Sequence, residues 1–305
     1  MKFADLKNDF VFRRIFAKHP PLLIALLNDL LERVGDEVIT RIQYLPSEQL
    51  PIADGAKLSI LDIRCTDQAG HTFIVEMQLL HTKGFENRVV YNACKAYVGQ
   101  LKETGEYGSL KDVFAISICD FCLWPDAERD AMGQPRVPML SRWNLTERST
   151  GSSGLRQVQY AFLELPKLGG ERPGGGSALW AWLFAHAKRL TRIPAELPKG
   201  PHRRAVELAN WATFTDIEQD AYEQVAAEIV QARELAEEGE ARGEARGKAE
   251  GKAEGKAEAI LTFLQARGIA VDEAARRRIR ACLDGETLDR WIGQAVTVLS
   301  AEELV

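Results

Sequence analysis

Apolar residues near the N-terminus recur at helical spacing. Phe10, Phe12, Ile15 and Phe16 form one stripe, and Leu22, Leu23, Leu26, Leu27, Leu30 and Leu31 form a second. Residues three and four apart share one face of a helix, so this spacing predicts two helices in the first 35 residues. Pro20 and Pro21 separate them, the second suiting the start of the next helix, and Gly35 is placed to end it. The period then shortens to two. Residues 38–45 are β-prone and stop at Pro46, and residues 58–66 and 71–80 form the clearest pair of strands. Between that pair lies Asp67-Gln68-Ala69-Gly70, which suits a type I turn with Gly70 in the left-handed region. A three-residue loop of this kind pairs Asp67 with His71. Paired residue numbers then sum to 138, and Asp62 falls opposite Glu76. A slip of one residue would put them on opposite faces.

Further along, residues 85–103 read as a helix ended near Gly105. Residues 113–119 form an apolar, β-branched run expected to be a buried strand, and residues 157–165 read as one more. Residues 125–155 are rich in Pro, Gly, Ser and Arg and read as an excursion, and residues 169–176 as a flexible break. Helices follow at about 177–190, 203–213 and 216–238. Alternation of helix and strand predicts a mixed α/β domain with a helical extension. From Gly239 the text becomes GEARGEARGKAEGKAEGKAEA, with Gly239, Gly243, Gly247, Gly251 and Gly255 four residues apart. Ala, Glu, Arg and Lys favour helix, against about 1 kcal/mol for each glycine. One reading is a charged linker. The other is a helix whose glycine stripe admits a second helix, giving a homodimer. Residues 260–305 read as a small helical unit around Leu261, Leu264, Ile279, Leu288 and Trp291.

Composition narrows the class. The chain has 305 residues, of which 46% are hydrophobic and 27% charged. That length allows burial of about three-quarters of the unfolded surface without a disulfide or zinc staple. Five cysteines point to a reducing, cytoplasmic setting, and the Cys119-x-x-Cys122 pair reads as core packing. No stretch has the length of a membrane span, and the N-terminus has no secretory signal pattern. A net charge of −5 counts against a passive nucleic-acid coat, though not against a cleft that works on DNA.

Candidate chemistry concentrates in LSILDIRCTDQAGHTFIVEMQLL. Strand alternation puts Ile60, Asp62 and Arg64 on one face, and Ile74, Glu76 and Gln78 on one face of the next strand. Asp62 and Glu76 thus interrupt two otherwise apolar strands. Carboxylates there are costly unless paired or bound to a cation, and two facing each other repel unless a metal neutralises them. This is the physical case for Mg²⁺ (or Mn²⁺), which takes one or two carboxylates and fills its other positions with water and phosphate oxygens. Gln78 is placed to orient the attacking water or to hydrogen-bond the scissile phosphate. A solvated acidic hairpin edge, paired with Lys57 or Arg64, is the other reading of the spacing. Arg88, Asn92, Lys95 and Lys102 fall on one stripe of the following helix, so Arg88 and Lys95 are candidates for DNA phosphate contacts. An ordinary solvated helix face is the alternative.

Four pieces in order carry a resemblance: Lys7-Asn8-Asp9-Phe10-Val11-Phe12, Leu61-Asp62-Ile63, Val75-Glu76-Met77-Gln78, and Arg88-Val89-Val90-Tyr91 running to Gln100-Leu101. Together they resemble the recombination-promoting nuclease and transposase family of bacteria, within the PD-(D/E)xK nuclease superfamily. Similarity is clearest over residues 3–125 and weaker to about 235. The resemblance implies a restriction-endonuclease-like fold in residues 1–168, with the helical extension at 177–238. It implies a metal-dependent DNA endonuclease with Asp62, Glu76 and the Met77 carbonyl as ligands. Asp9 is a candidate for assisting a second metal. It also implies a cellular role in DNA recombination or in restricting foreign DNA. Leu61 stands where the superfamily's proline would be, and Gln78 stands where lysine is typical; the nearer family resembles this chain in using glutamine. A non-catalytic DNA-binding or oligomerisation protein keeping the fold is the rival.

Overall fold

The computed structural model describes residues 1–49, 59–101, 105–125, 137–170 and 173–304. Lys57 and Lys102 lie outside the described residues. Two compact units divide at 229/230.

The first unit opens as its apolar spacing predicts. Helix α1 (Asp9–Phe16) is capped by the Asn8 side chain, which accepts from the Val11 amide, and it buries Val11, Phe12, Ile15 and Phe16. Helix α2 (Pro20–Leu31) starts on both prolines and buries Leu22, Leu23, Leu26, Leu27 and Leu30. It stops earlier than Gly35: the left-handed cap residue is Glu32, at φ 49°, whose side chain pairs with Arg142 at 2.9 Å.

Strands β1 (Ile42–Tyr44), β2 (Glu48–Gln49), β3 (Ser59–Ile60), β4 (Ile63–Asp67) and β5 (Thr72–Gln78) follow. The run expected as one strand from 58 to 66 is two: β3 pairs with β2, while β4 joins β1 and β5. The hairpin register is the predicted one, Ile63↔Val75 through Thr66↔Thr72, each pair summing to 138. Gly70 has φ +87° and its amide donates to the Asp67 carbonyl, so the turn chemistry fixes loop length and register together.

Helix α3 (Phe85–Val98) crosses over to β6 (Val113–Cys119), every residue of which is buried. It ends at Gly99, short of the expected 103. Within the segment read as an excursion lies β7 (Leu140–Leu145). It pairs antiparallel with β8 (Leu155–Glu164) at the sheet edge, where only one strand partner is available. Its polar residues Ser141, Arg142 and Asn144 hid it from a hydrophobic count. The six-stranded sheet runs β1-β4-β5-β6-β8-β7, with β5, β6 and β8 parallel to one another. Parallel pairing demands a crossover, which α3 supplies between β5 and β6.

Helices α1, α2, α4 (Gly176–His186) and α5 (Pro201–Leu208) cover one face. Phe73, Val75 and Met77 of β5 point into that layer, against Phe12, Phe16, Trp180 and Phe184. Helix α3 covers the other face, where Ile74 meets Phe85, Val89 and Ala93. Each such large apolar side chain fully buried contributes about 1.5–3 kcal/mol.

Helix α6 (Asp216–Ala266) is continuous through the glycine-punctuated tract. Its first turns belong to the first unit, where Tyr222 packs in the core. In the second unit Ala253, Ala257, Ile260, Leu261 and Leu264 pack against α7 (Glu273–Ala281) and α8 (Gly285–Ala295), through Ala275, Ile279, Leu288 and Ala295. Among the described residues no helix is long and apolar enough to cross a membrane.

Candidate active site

The C-terminal ends of β5 and β6 lie side by side, and the Asp120 amide donates to the Gln78 carbonyl at 2.8 Å. The opening motif docks there. Lys7 pairs with Asp120 at 2.8 Å, buried Asn8 caps α1 and donates to the Tyr222 carbonyl, and Asp9 begins the helix. One end of the sheet thus gathers Asp9 from α1, Asp62 from the approach to β4, Glu76 and Gln78 from β5, and Arg88 and Asn92 from α3.

Asp62 does not sit where strict alternation puts it. The ladder ends at Ile63↔Val75, and the chain bends at Asp62. Leu61 therefore turns into the layer under α3, while Ile63 faces the α1–α2 layer. The expected sharing of one face by Ile60, Asp62 and Arg64 fails at this bend. What replaces the next ladder bond is the Asp62 side chain: Oδ2 accepts from the Met77 amide at 2.8 Å. An extended residue's N–H and C=O leave on the same edge of its strand, so the Met77 carbonyl is directed to Asp62's side as well.

Asp62 Oδ1 accepts from Arg13 Nη2 at 3.1 Å, and Arg13 Nε also reaches Asp9 Oδ1 at 3.2 Å. Asp9 is nearly half exposed. Glu76, only 7% exposed, accepts from Gln78 Nε2 at 3.2 Å and, more weakly, from Asn92 Nδ2 at 3.4 Å. Gln78 Oε1 in turn accepts from Arg88 Nη2 at 2.7 Å. Arg88, Gln78 and Glu76 therefore form a directed chain of donors that starts at an exposed guanidinium.

Electrostatics single out the two central carboxylates. Burial pushes Asp62 up to about 6, with the Asp9 charge adding to it and the Met77 amide and Arg13 opposing. Burial first and then the Asp62 charge lift Glu76 to about 7, against the opposing pull of Arg88 and Asn92. Each is a desolvated acid beside another acid, the condition a cation relieves. Asn92 Oδ1, buried and with no hydrogen-bond partner, adds an oxygen acceptor next to Glu76. All-oxygen donors of this kind fit a hard divalent ion. No group of three or more His, Cys, Asp or Glu converges to ligand geometry among the described residues. The donor set is two carboxylates, within what Mg²⁺ takes.

Lys95 requires a correction. It is 4% exposed, and Nζ donates to the Gln49 carbonyl at 2.8 Å. It ties α3 to the β2–β3 ribbon rather than facing a phosphate. At Lys95 the helix is covered by a ribbon distant in sequence, which helical spacing cannot reveal. Arg13 is the residue that sequence reasoning missed. Asp9 and Arg13 are visible as an i,i+4 pair, but such pairs are ordinary on solvated helices. The third partner, Asp62, comes from 49 residues away. Cys119 packs under α3. A separate cavity of about 340 Å³ lies at the other end of the strands, among Arg33, Asp67, His71, Asp112 and Arg142.

The family model described as PD-(D/E)XK nuclease family transposase matches residues 6–235. No curated protein and no solved structure matches the chain. The matched span contains every residue of the site above, and a mixed sheet flanked by helices agrees with that family's nuclease-type fold. The chain therefore belongs to the PD-(D/E)XK nuclease family transposases.

Proposed function

We propose that the protein is a Mg²⁺-dependent DNA endonuclease with Asp62 and Glu76 as the ion's ligands and the Met77 carbonyl as a third. The observation that carries this reading is two desolvated carboxylates at the C-terminal end of β5, Glu76 raised by the Asp62 charge and Asp62 by that of Asp9. Bound there, Mg²⁺ or Mn²⁺ would supply stabilisation of charge on the phosphate and an easier ionisation of water. The chain's own residues do the rest. Gln78 accepts from Arg88 through Oε1 and donates through Nε2 to Glu76, so its amide is oriented to donate beside the ligands. Arg88 is exposed and planar, suited to bidentate contact with a DNA phosphate. Asp9, which shares Arg13 with Asp62 and whose charge acts on it, is the residue assigned to a second ion. The cellular role, promotion of recombination or restriction of foreign DNA, rests on family membership.

A plasmid-nicking assay with Mg²⁺ tests the site. Asp62→Asn and Glu76→Gln are each expected to lower cleavage by about 10²-fold or more, as loss of a main electrostatic contributor does. Activity unchanged by either substitution removes the assignment. One observation favours the rival, a DNA-binding protein that does not cut: Arg13 already sits on Asp62. Under that reading anisotropy shows DNA binding while no Mg²⁺ or Mn²⁺ concentration yields nicks.

A further inference from the structure

We propose that Arg13 holds the place of the divalent ion on Asp62 in the metal-free protein and yields it when an ion binds, so that Arg13 sets the site's ion affinity. This rests on the metal reading of Asp62 and Glu76. Of Asp62's two oxygens, Oδ2 is committed to the Met77 amide, which leaves Oδ1 as the oxygen open to a cation, and Arg13 Nη2 is on it at 3.1 Å.

Arg13 is built to leave. Its side chain is 41% exposed, against 15% for Asp62, so the guanidinium can swing into water while the carboxylate stays held in place. It has a second partner, Asp9, one turn back on its own helix, at 3.2 Å from Nε. Withdrawal from Asp62 therefore costs one ion pair rather than both. A guanidinium does not lose its proton in a protein. It cannot neutralise itself to share the oxygen with a divalent cation, and two positive charges a few ångströms apart repel.

Other cations near the motif are committed elsewhere. Lys7 is on Asp120, Arg14 is on Glu218 and on the Thr213 carbonyl, and Arg88 is on Gln78. Among the described residues Arg13 is the cation in hydrogen-bond contact with a candidate ligand carboxylate.

The test is calorimetric titration of the full chain with Mn²⁺ at pH 8, comparing wild type, Arg13→Gln, Arg13→Lys and Asp62→Asn, with a melting curve of each without metal. Removing a partly exposed competitor should tighten Mn²⁺ binding in Arg13→Gln by about threefold to tenfold. The metal-free variant should melt at or below the wild-type temperature, because Asp62 has lost its counter-charge. Arg13→Lys keeps a positive charge without the two-pronged bridge and should fall between, which also serves if Arg13→Gln folds poorly. Equal or weaker Mn²⁺ binding in folded Arg13→Gln overturns the proposal while leaving the metal reading intact. If wild type and both Arg13 variants take up no more Mn²⁺ than Asp62→Asn, the metal reading itself fails, and this inference with it.

Discussion

Glu76 and Asp62 make stability depend on pH with a definite sign. Burial holds them at about 7 and about 6, above the usual carboxylate range, so the folded state keeps protons the unfolded chain releases. Stability from the neutral forms is complete below about pH 4 and is lost as pH rises through 6 and 7. The metal-free protein is therefore expected to be less stable at pH 8 than at pH 5 by an amount on the order of 2 kcal/mol, and to melt at a lower temperature. Glu76→Gln should flatten that slope in a melting series followed by circular dichroism. Mn²⁺ at pH 8 should restore the loss in wild type only; a hundredfold excess over Kd supplies about 2.7 kcal/mol. At this scale the sequence was readable where one residue contradicted its surroundings: an acid in a strand such as FIVEMQ announces itself. It was unreadable for Arg13 and Lys95. An arginine four residues from an aspartate has no local feature to mark it as part of a three-way bridge. A lysine on a helix has none to say that a ribbon 46 residues upstream will cover it.

Elements were legible in proportion to how locally they are determined. The β4–β5 register followed from Asp67 and Gly70 alone, because the turn fixes loop length without reference to the rest of the chain. The edge strand β7 was lost, since a strand with one partner carries polar residues and borrows its conformation from β8. The place of β6 between β5 and β8 is likewise set by packing that no local period encodes. One element-level contact is open to direct measurement. Glu164 is fully buried, accepts from the Leu123 and Trp124 amides, and pairs with Lys167 at 2.9 Å. Lys167 also donates to the Val137 carbonyl. The pair fastens residues 123–124 and 137 to the end of β8. Glu164→Gln leaves the buried lysine without its counter-ion, so urea unfolding should show a loss of about 3 kcal/mol.

For the molecule as a whole, helix α6 belongs to both compact units, and its middle is solvated: residues 231–239 and 241–252 are all exposed. A helix without a buried face relies on propensity alone and opens locally at little cost. Brief trypsin treatment should cut first at Arg233, Arg242, Arg246, Lys248 or Lys252, giving two fragments by mass spectrometry, before cuts within either core. Gly243, Gly247 and Gly251 have no atom within 4 Å of where a Cβ would stand. Changing all three to Ala should stabilise this helix by up to about 1 kcal/mol each if the stripe faces water. If the stripe seats a second copy, the same change should instead shift light-scattering mass from dimer to monomer.

The bend that carries Asp62 off the ladder gives this stretch an unusual tolerance profile. Counting from the turn at Asp67–Gly70, the acid is reached after a fixed number of positions, and only that count brings it to the Met77 amide. At the half-buried positions Arg64 and Thr66 the residue can change, while Ile63 and Cys65 stay apolar in the core; the length cannot change at any of them. Deleting Arg64 or Thr66 should therefore be far harsher on the acid's function than substituting either residue. A length change between the turn and Asp62 would thus silence the site as surely as replacing the acid itself.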